Sequence, residues 1–453
     1  MQGVFDNDIE ESFDLLFSKI LKKQQLISEI QQANPEKAEI SKNILDHYAK
    51  LKGRGFVYDY LSSGQGHGAF TKLLDDSVKY DLISSIGVNI LGHSHPIYIK
   101  SFLQSALSDT MMCGNLLTYP ESYELSATLL QSVSKSNLAH FWFTGSGSFA
   151  NDTALKMLWQ KKSPKKKIIA FEKAFAGRSI ATQDITFNPE YREDMPPSIE
   201  VYHVPHYDQR TPDSSLAKTL AALDALWHQQ GDNFCALMIE LVQGEAGFVF
   251  GTKEYYTGIF NWAKEKNIYI WIDEVQSFMR TRELFAFQAF RLDEYVDIVT
   301  VGKALQACGV LYSAELNPRP GLIAGTFNGS IASLKAGKNI IDYLNNGHFF
   351  GENGRIAMLE RAFLSRLSEL KRGKCKNKIG YIGGLGTMIS FEIGDSSADI
   401  TKQFLLNLYQ NGVIAFSAGK EPTRVRFLLP VCLTDENIDD IFSIIEKSIN
   451  QTL

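Results

Sequence analysis

The sequence predicts an α/β protein with a large, doubly wound, mostly parallel sheet domain and a smaller α+β domain. Five short, mainly apolar runs alternate with segments of helical periodicity between about residues 70 and 335. This pattern is typical of parallel strands that are buried on both faces. Two of the runs lead into ionisable side chains, those of Asp273 and Lys303. Because open α/β sheets bind ligands at the carboxyl ends of their strands, we expect a functional site there.

The individual elements follow from apolar periodicity and from turn residues. Helices are predicted at 9–33 and 36–52, with a break at Asn34-Pro35. Strands are predicted at 138–143, 167–171, 234–239, 267–272 and 296–301, and helices between them at 149–161, 216–229 and 253–266. Towards the C-terminus, helices are predicted at 331–346, 354–372 and 435–450, and strands at 387–392, 413–416 and 425–429. We therefore expect an N-terminal helical segment at 1–70 that contributes to the small domain, a large domain at 71–335 and a small domain at 336–453.

Composition narrows the class of protein. The chain has 453 residues, of which 44% are hydrophobic and 21% charged, as in an ordinary globular protein. Its net charge of -5 gives no electrostatic reason to expect nucleic acid as a partner. No apolar run approaches the ~20 residues of a membrane span, and the acidic N-terminus is unlike a signal peptide. Five scattered cysteines without CxxC spacing favour reduced thiols in a cytoplasmic protein that has no structural zinc site.

Small-residue and aromatic positions after two predicted strands are candidates for cofactor contacts. Ser146, Gly147 and Ser148 lie between a strand and a helix, where a turn exposes backbone N–H groups to an anion such as phosphate. Such turns also cap helices without binding a ligand. Phe175 follows the next strand, and its ring could lie on a planar cofactor or belong to the core.

Ionisable residues at three strand ends point to pyridoxal phosphate (PLP) chemistry. PLP requires an acid to hold its pyridinium nitrogen and a lysine to form a Schiff base, and Asp273 and Lys303 are suited to these tasks. Two further carboxylates, those of Glu240 and Glu245, follow another strand within a glycine-containing turn. Core packing does not explain two carboxylates at that position.

In combination, these segments resemble the class III (ω-amino acid, or ornithine–acetylornithine-like) aminotransferases, PLP-dependent enzymes of fold type I. The resemblance runs from about residue 60 to the C-terminus. Four segments carry it, in order: Ser146-Gly-Ser-Phe-Ala-Asn-Asp, Ile239-Glu-Leu-Val-Gln-Gly-Glu-Ala-Gly, Ile272-Asp-Glu-Val-Gln and Asp297-Ile-Val-Thr-Val-Gly-Lys. Flanking support comes from Gly92-His-Ser-His-Pro96, Gly325-Thr-Phe-Asn-Gly329 and Arg424-Val-Arg426-Phe-Leu-Leu-Pro430.

The resemblance implies roles around the cofactor ring. Lys303 would bond covalently to PLP and move a proton between the substrate's carbon and the cofactor's C4′ carbon. Asp273 would keep the pyridine nitrogen protonated, so that the ring takes up the electrons released on C–H cleavage. Val275 and Phe175 would pack on opposite faces of the ring. Gln276 would hydrogen-bond its phenolic oxygen.

The resemblance also implies how the phosphate is held. Ser146, Gly147 and Ser148 match the family's phosphate loop. Thr326 matches a threonine that family members lend to the phosphate across a dimer interface. A homodimer with shared active sites is therefore expected.

Two residues match the family's substrate gate. Arg426 would grip a substrate carboxylate, for which its bidentate guanidinium is suited. Glu245 would pair with this arginine while an ω-amine donor is bound and swing away when glutamate or 2-oxoglutarate needs it. The histidines His93 and His95 belong to a family turn that holds no metal, so no metal site is expected.

The implied function is a ping-pong transfer of an amino group from an ω-amine or amino acid donor to an oxoacid such as 2-oxoglutarate or pyruvate. A decarboxylase, racemase or aminomutase on the same scaffold remains an alternative, because the sequence does not fix which bond stands perpendicular to the ring. A catalytically silent relative that binds or regulates is another. Several positions depart from the family pattern and leave the substrate open, namely Phe149, Ala176, Leu241 and Gln306-Ala307-Cys308.

Overall fold

The structure of the protein is a computed structural model that describes residues 7–107 and 118–453. The strands are β1 (Ser62–His67), β2 (Phe70–Leu73), β3 (Val78–Asp81), β4 (Leu138–Thr144), β5 (Lys167–Phe171), β6 (Val201–Val204), β7 (Phe234–Ile239), β8 (Val242–Gln243), β9 (Val249–Phe250), β10 (Tyr269–Glu274), β11 (Ile298–Val301), β12 (Cys308–Ser313), β13 (Ile379–Leu385), β14 (Met388–Ile393), β15 (Val413–Ile414), β16 (Phe416–Ala418) and β17 (Arg424–Leu428). The helices are α1 (Asn7–Gln24), α2 (Pro35–Lys52), α3 (Ser84–Gly87), α4 (Pro96–Ala106), α5 (Pro120–Ser132), α6 (Gly147–Lys162), α7 (Thr182–Ile185), α8 (Pro212–Gln230), α9 (Lys253–Glu265), α10 (Ala286–Ala289), α11 (Ile331–Asn346), α12 (Arg355–Arg372), α13 (Ala398–Asn411) and α14 (Asp435–Thr452). Within the two described ranges, no helix is long and apolar enough to cross a membrane.

A seven-stranded sheet with the strand order β4-β12-β11-β10-β7-β5-β6 forms the centre of the large domain. The strands from β11 to β6 run parallel to one another. β12 is antiparallel to its neighbours β11 and β4. The predicted large, mostly parallel sheet is therefore confirmed.

Helices cover both faces of this sheet. Ile270 and Ile272 of β10 belong to a buried cluster that includes residues of α8, α9 and α11, whereas Trp271 between them joins a second cluster with α6. Successive side chains of a strand point to opposite faces, so the two clusters lie on opposite sides of the sheet. Burial on both faces explains why the predicted strands read as apolar runs instead of alternating ones.

The chain ends form two smaller sheets. β13, β14, β17 and β16 make an antiparallel sheet against which α12 and α13 pack. β1, β2 and β3 form a meander, and β15 pairs in parallel with β3. Residues 62–81 therefore share a sheet with residues 413–414, while the domain bounds at 70 and 335 stay a prediction.

The predicted helix at 9–33 is wrong over its last nine residues. α1 ends at Gln24, and Gln31 exchanges two backbone hydrogen bonds of 3.0 and 3.1 Å with Val78 of β3. Asn34 then caps the N-terminus of α2 with its side chain. Pairing with a distant strand, which local periodicity does not reveal, overrides the helical pattern.

The predicted strand at 413–416 is also wrong, because it consists of two strands in different sheets. β15 pairs with β3, whereas β16 pairs with β17, and the chain changes sheets at Ala415. The other predicted strands agree with the observed ones to within two residues at each end. Of the five cysteines, Cys113 lies outside the described residues, and the other four form no disulfide.

Candidate active site

Three neighbouring strands bring ionisable side chains to one edge of the central sheet. Glu240 follows β7 directly, Asp273 lies near the end of β10, and Lys303 comes two residues after β11. β10 is parallel to both neighbours, and Asp273 is aligned with Thr300. A cavity of about 230 Å³ opens at these strand ends. All predicted site residues except Thr326 line it, namely Ser146, Gly147, Ser148, Phe175, Glu245, Asp273, Val275, Gln276, Lys303 and Arg426.

Asp273 is buried and held on both carboxylate oxygens. The backbone N–H of Val275 donates to Oδ1 at 2.8 Å, and Asn151 Nδ2 donates to Oδ2 at 2.7 Å. Asn151 is fixed in turn, because Thr300 Oγ1 donates to its Oδ1 at 2.8 Å. Burial raises the pKa of Asp273 to about 6, against the hydrogen bonds from Val275 and Asn151. The carboxyl group therefore has one defined orientation beside the cavity.

Lys303 sits in a constrained backbone conformation at the other strand end. Its φ of +45° is uncommon for a residue with a side chain, and such strain clusters at functional sites. Nζ donates to Gln276 Oε1 at 2.7 Å. Burial, and after it the positive charge of Arg426, lower the pKa of Lys303 to about 8. At pH 7 about a tenth of this amine is thus neutral and able to act as a nucleophile or a base, far more than for an ordinary lysine.

The turn before α6 provides an anion site at the cavity. Ser146 caps the helix, and its Oγ accepts a hydrogen bond of 3.3 Å from the backbone N–H of Phe149. Gly147 lies close against Val275, since a Cβ at Gly147 would come within 2.8 Å of Val275 Cγ1. The first N–H groups of α6 and its dipole, next to Ser148, favour a negative charge there.

Glu240 connects the two halves of the cavity. Its Oε1 accepts a hydrogen bond of 2.8 Å from the backbone N–H of Phe175, and its Oε2 accepts one of 3.0 Å from Gly244. Burial, and then the negative charge of Asp273, raise the pKa of Glu240 to about 8. Glu240 therefore links the loop that contains Phe175, the proposed stacking residue, to the turn that contains Glu245.

Arg426 and Glu245 form an ion pair in the lining of the cavity. Arg426 Nη2 lies 3.3 Å from Glu245 Oε1, and Nη1 donates to the carbonyl of Gly244 at 3.1 Å. The side chain of Arg426 is 7% exposed, whereas that of Glu245 is 37% exposed. The carboxylate therefore has space in which to move while the guanidinium stays buried.

Thr326 does not line the cavity of its own chain. It is exposed, and so is the neighbouring ring of Phe327. The backbone carbonyl of Phe327 lies against Gly145, just before the phosphate turn, since a Cβ at Gly145 would come within 3.1 Å of its oxygen. The contribution of Thr326 across a dimer interface stays a prediction.

The two histidines of the Gly-His-Ser-His-Pro turn have structural partners. His93 Nε2 lies 2.9 Å from Asp81 Oδ2, and His95 Nδ1 accepts a hydrogen bond of 3.3 Å from Ile97 N at the start of α4. Across residues 7–107 and 118–453, no group of three or more His, Cys, Asp or Glu side chains is arranged to hold a metal ion.

The sequence assigned no role to seven residues that line the cavity: Ile86, Asn151, Ala176, Gly177, Glu240, Gly244 and Cys308. Asn151 carried a usable signal, since it is a polar residue on the buried face of α6. Ile86 reaches the cavity because residues 84–87 all have positive φ and form a left-handed turn. Only Gly87 in that turn hints at such a conformation.

Some of the residues that depart from the family pattern line the cavity, and others do not. Ala176 and Cys308 line the cavity, whereas Phe149, Leu241 and Gln306-Ala307 are not among its lining residues. Phe149 is 60% exposed, and Leu241 is buried in the core. Two of these positions can therefore influence the substrate directly.

The groups around the cavity fit PLP. Asp273 offers a carboxylate to a pyridine nitrogen, Lys303 offers an amine to an aldehyde, and the start of α6 offers N–H groups to a phosphate. Gln276 Nε2 is buried and has no hydrogen-bond partner among the described residues, so it is free to donate to a ring oxygen. Phe175 and Val275 supply apolar surface for a flat ring.

Comparison with known proteins gives the same result over most of the chain. A family model described as aminotransferase class-III matches residues 58–449. The acetylornithine aminotransferase of Aquifex aeolicus is 27% identical over 427 residues, which cover 89% of this chain and 99% of that protein. A probable 4-aminobutyrate aminotransferase of Bacillus subtilis is 28% identical over 411 residues, covering 85% and 92%.

The likeness extends to solved structures. A lysine aminotransferase from M. tuberculosis matches with a TM-score of 0.80 at 20% sequence identity, covering 90% of this chain and 100% of that chain. This match confirms the predicted fold type I architecture. Since the family model also spans most of the sequence, the chain belongs to the class III aminotransferases, enzymes that transfer amino groups with PLP.

Proposed function

We propose that this aminotransferase moves an amino group from an ω-amine or amino acid donor to an oxoacid such as 2-oxoglutarate or pyruvate, with Lys303 and Asp273 as its catalytic residues. One observation carries the proposal. These two side chains line a single cavity together with the start of α6 and with the Glu245–Arg426 pair. The cavity thus combines groups for a cofactor with a gate for substrates.

The roles of the protein's own groups follow from their geometry. When bound, PLP supplies an aldehyde that takes up the amino group and a ring that takes up the electrons of the broken C–H bond. Lys303 Nζ, with its pKa lowered to about 8, would take the proton from the substrate's carbon and deliver it to the cofactor's C4′ carbon. Asp273, held by Asn151 and Val275, accepts a hydrogen bond from a protonated ring nitrogen.

The proposed gate explains how one cavity accepts two kinds of substrate. Arg426 is buried and carries the fixed positive charge that a carboxylate of 2-oxoglutarate needs. When a donor without a carboxylate near the reacting carbon is bound, Glu245 neutralises this charge. Exposure of the Glu245 side chain supports its proposed movement between the two states.

We also propose that the enzyme is a homodimer with shared active sites. Thr326 is exposed and is not among the residues that line the cavity of its own chain. Phe149 and Phe327 are 60% and 67% exposed, and a second copy that lends Thr326 to this cavity would cover apolar surface of this kind. The free cysteines support a cytoplasmic location, where thiols stay reduced.

The relatives suggest which donors to test first. The purified enzyme, loaded with PLP, would be given N-acetylornithine, 4-aminobutyrate or L-lysine together with 2-oxoglutarate or pyruvate. Formation of glutamate or alanine, with loss of the donor amine, is the expected result. Release of CO₂ from an amino acid without amino transfer, or racemisation alone, would favour the alternative PLP reactions. A protein that binds no PLP would contradict the proposal.

A further inference from the structure

The turn that carries Glu245 is held by two arginines from one strand. Arg426 Nη1 donates to the carbonyl of Gly244 at 3.1 Å, and Arg424 Nη1 donates to the carbonyl of Gly247 at 3.2 Å. The two arginines are two residues apart on β17, so their side chains leave the strand on the same face. Each arginine therefore grips one end of the four-residue turn.

The two arginines differ in how firmly they are held. The side chains of Arg424 and Glu392 are 6% and 8% exposed, and Arg424 Nε donates to Glu392 Oε1 at 3.2 Å. The guanidinium carbon of Arg424 also lies 4.1 Å from the centroid of the Tyr381 ring. Arg426 Nε, in contrast, is buried without a partner among the described residues. Arg424 is thus locked in place, whereas Arg426 keeps donor capacity for a new partner.

Besides its hydrogen bond from Arg424, the Gly247 end of the turn is held by close packing and by a second hydrogen bond. Gly247 has a φ of +80°, and a Cβ there would come within 2.7 Å of Arg424 Cδ. The backbone of the turn therefore lies directly on the stem of Arg424. Ser390 Oγ donates to the same Gly247 carbonyl at 2.7 Å.

We propose that Arg424 is a positioning residue that keeps the 244–247 turn in place while Arg426 leaves Glu245 for a substrate carboxylate. The inference rests on the proposed gate. In the donor state the turn is held at both ends by arginines. In the acceptor state the pairing of Arg426 with Glu245 is given up, and the Gly247 end becomes the anchor about which Glu245 swings.

Kinetics of the separate half-reactions test this role. Arg424→Lys keeps a positive charge near Glu392 but loses the guanidinium fork that reaches Gly247. We expect KM for 2-oxoglutarate to rise about tenfold, the equivalent of one buried hydrogen bond, while kcat and the donor half-reaction stay within about twofold. Arg210→Ala is the matched control, since Arg210 contacts Glu392 at 3.3 Å but is exposed and does not touch the turn. Equal losses in both half-reactions would mean that Arg424 has only a general structural role and would overturn the proposal.

A second readout does not depend on turnover. Glutarate, an unreactive dicarboxylate, would be added to the PLP-loaded enzyme, and hydrogen exchange of the backbone amides at 244–248 would be followed by mass spectrometry. We expect glutarate to speed this exchange in Arg424→Lys and, less strongly, in Ser390→Ala, but not in the wild type. Unchanged exchange in both variants would overturn the anchor role even if the enzyme transaminates. Absence of amino transfer in the wild type would contradict the proposed function separately.

Discussion

Asp273 and Glu245 are two carboxylates at the same cavity, yet the protein holds them in opposite ways. Asp273 is buried and receives hydrogen bonds from Val275 and Asn151 at 2.8 and 2.7 Å. Glu245 is 37% exposed, and its contact with Arg426 is 3.3 Å long. We call the first region the cofactor end, defined by Asp273, Gln276, Lys303 and the start of α6, and the second the substrate end, defined by Glu245 and Arg426.

The difference follows from the elements that supply the side chains. Asp273, Gln276 and Lys303 of the cofactor end lie at the ends of the neighbouring parallel strands β10 and β11, whose spacing is fixed by the backbone ladder, and the start of α6 follows β4 of the same sheet. The substrate end joins the turn between β8 and β9 to β17 of the C-terminal sheet. This difference matches the proposed roles, in which groups with the same task for every substrate are fixed and Glu245, which would respond to different substrates, is partly exposed.

Replacement of Lys303 should have the largest effect. Lys303→Ala removes the proton-moving amine and the covalent link to PLP, so kcat should fall by at least about 10⁴-fold. Steady-state turnover with the best donor measures the loss, and borohydride reduction followed by mass spectrometry measures the link. Lys161→Ala, at a surface lysine that contacts Glu315, is the control. Normal turnover of Lys303→Ala would refute the assignment of the cofactor end.

Asp273→Asn should have the next largest effect. The amide cannot carry the negative charge that keeps a ring nitrogen protonated, so proton removal from the substrate should slow on the order of 10²-fold or more. Stopped-flow absorbance with a donor deuterated at the reacting carbon measures this step. An unchanged rate and isotope effect would show that Asp273 does not face the ring nitrogen.

Glu245→Gln should affect only one kind of substrate. Without the carboxylate, the charge of Arg426 stays unpaired while an ω-amine donor is bound, so kcat/KM for that donor should fall about tenfold. The half-reaction with L-glutamate, which needs Arg426 free, should change by no more than about twofold. A uniform loss for both substrates would contradict the separation of the two ends.

The smallest expected effect is the influence of Arg426, at the substrate end, on the pKa of Lys303, at the cofactor end. The pH dependence of PLP attachment measures it. Lys303 attacks an aldehyde only as the neutral amine, so covalent attachment of PLP to the cofactor-free enzyme should slow as pH falls below about 8, the pKa of Lys303. Arg426 lowers that pKa, so Arg426→Gln should shift the midpoint to higher pH. Arg210→Gln should leave it unchanged. If the wild-type midpoint lay near the ordinary lysine pKa of about 10.4, burial and the charge of Arg426 would not lower the pKa of Lys303, and this account would be contradicted.

The cofactor end was the part most open to prediction from sequence. Apolar runs that end in Asp273 and Lys303 identify strand ends, and adjacency of those strands in a parallel sheet brings the two side chains together. A polar residue on the buried face of α6 marks Asn151 as unusual, but its role was missed because its partners Asp273 and Thr300 are more than a hundred residues away in the chain. Hydrogen bonds between distant segments leave little local signal.

Irregular backbone was the part least open to prediction. The left-handed turn that carries Ile86 is stabilised by Asp81, whose carboxylate accepts hydrogen bonds from Ile83 and Ser85 at 3.0 and 2.9 Å. Serine and isoleucine do not favour this conformation, so their identities do not indicate it. Pairing with β3, a strand far away in sequence, also accounts for the two wrong predictions. Gln31 pairs with β3 soon after α1 ends, and β15 pairs with β3 whereas β16 belongs to another sheet.

The most direct test of a fixed cofactor end with a movable substrate end is the absorbance spectrum of PLP-loaded wild type and Arg426→Gln. Each would be recorded before and after addition of L-glutamate, and then with an ω-amine donor. We predict that the wild type converts PLP to its amine form with both donors. Arg426→Gln should convert it with the ω-amine donor but lose most of the conversion with L-glutamate. Equal loss with both donors in the variant, or a wild-type spectrum that neither donor changes, would contradict this account.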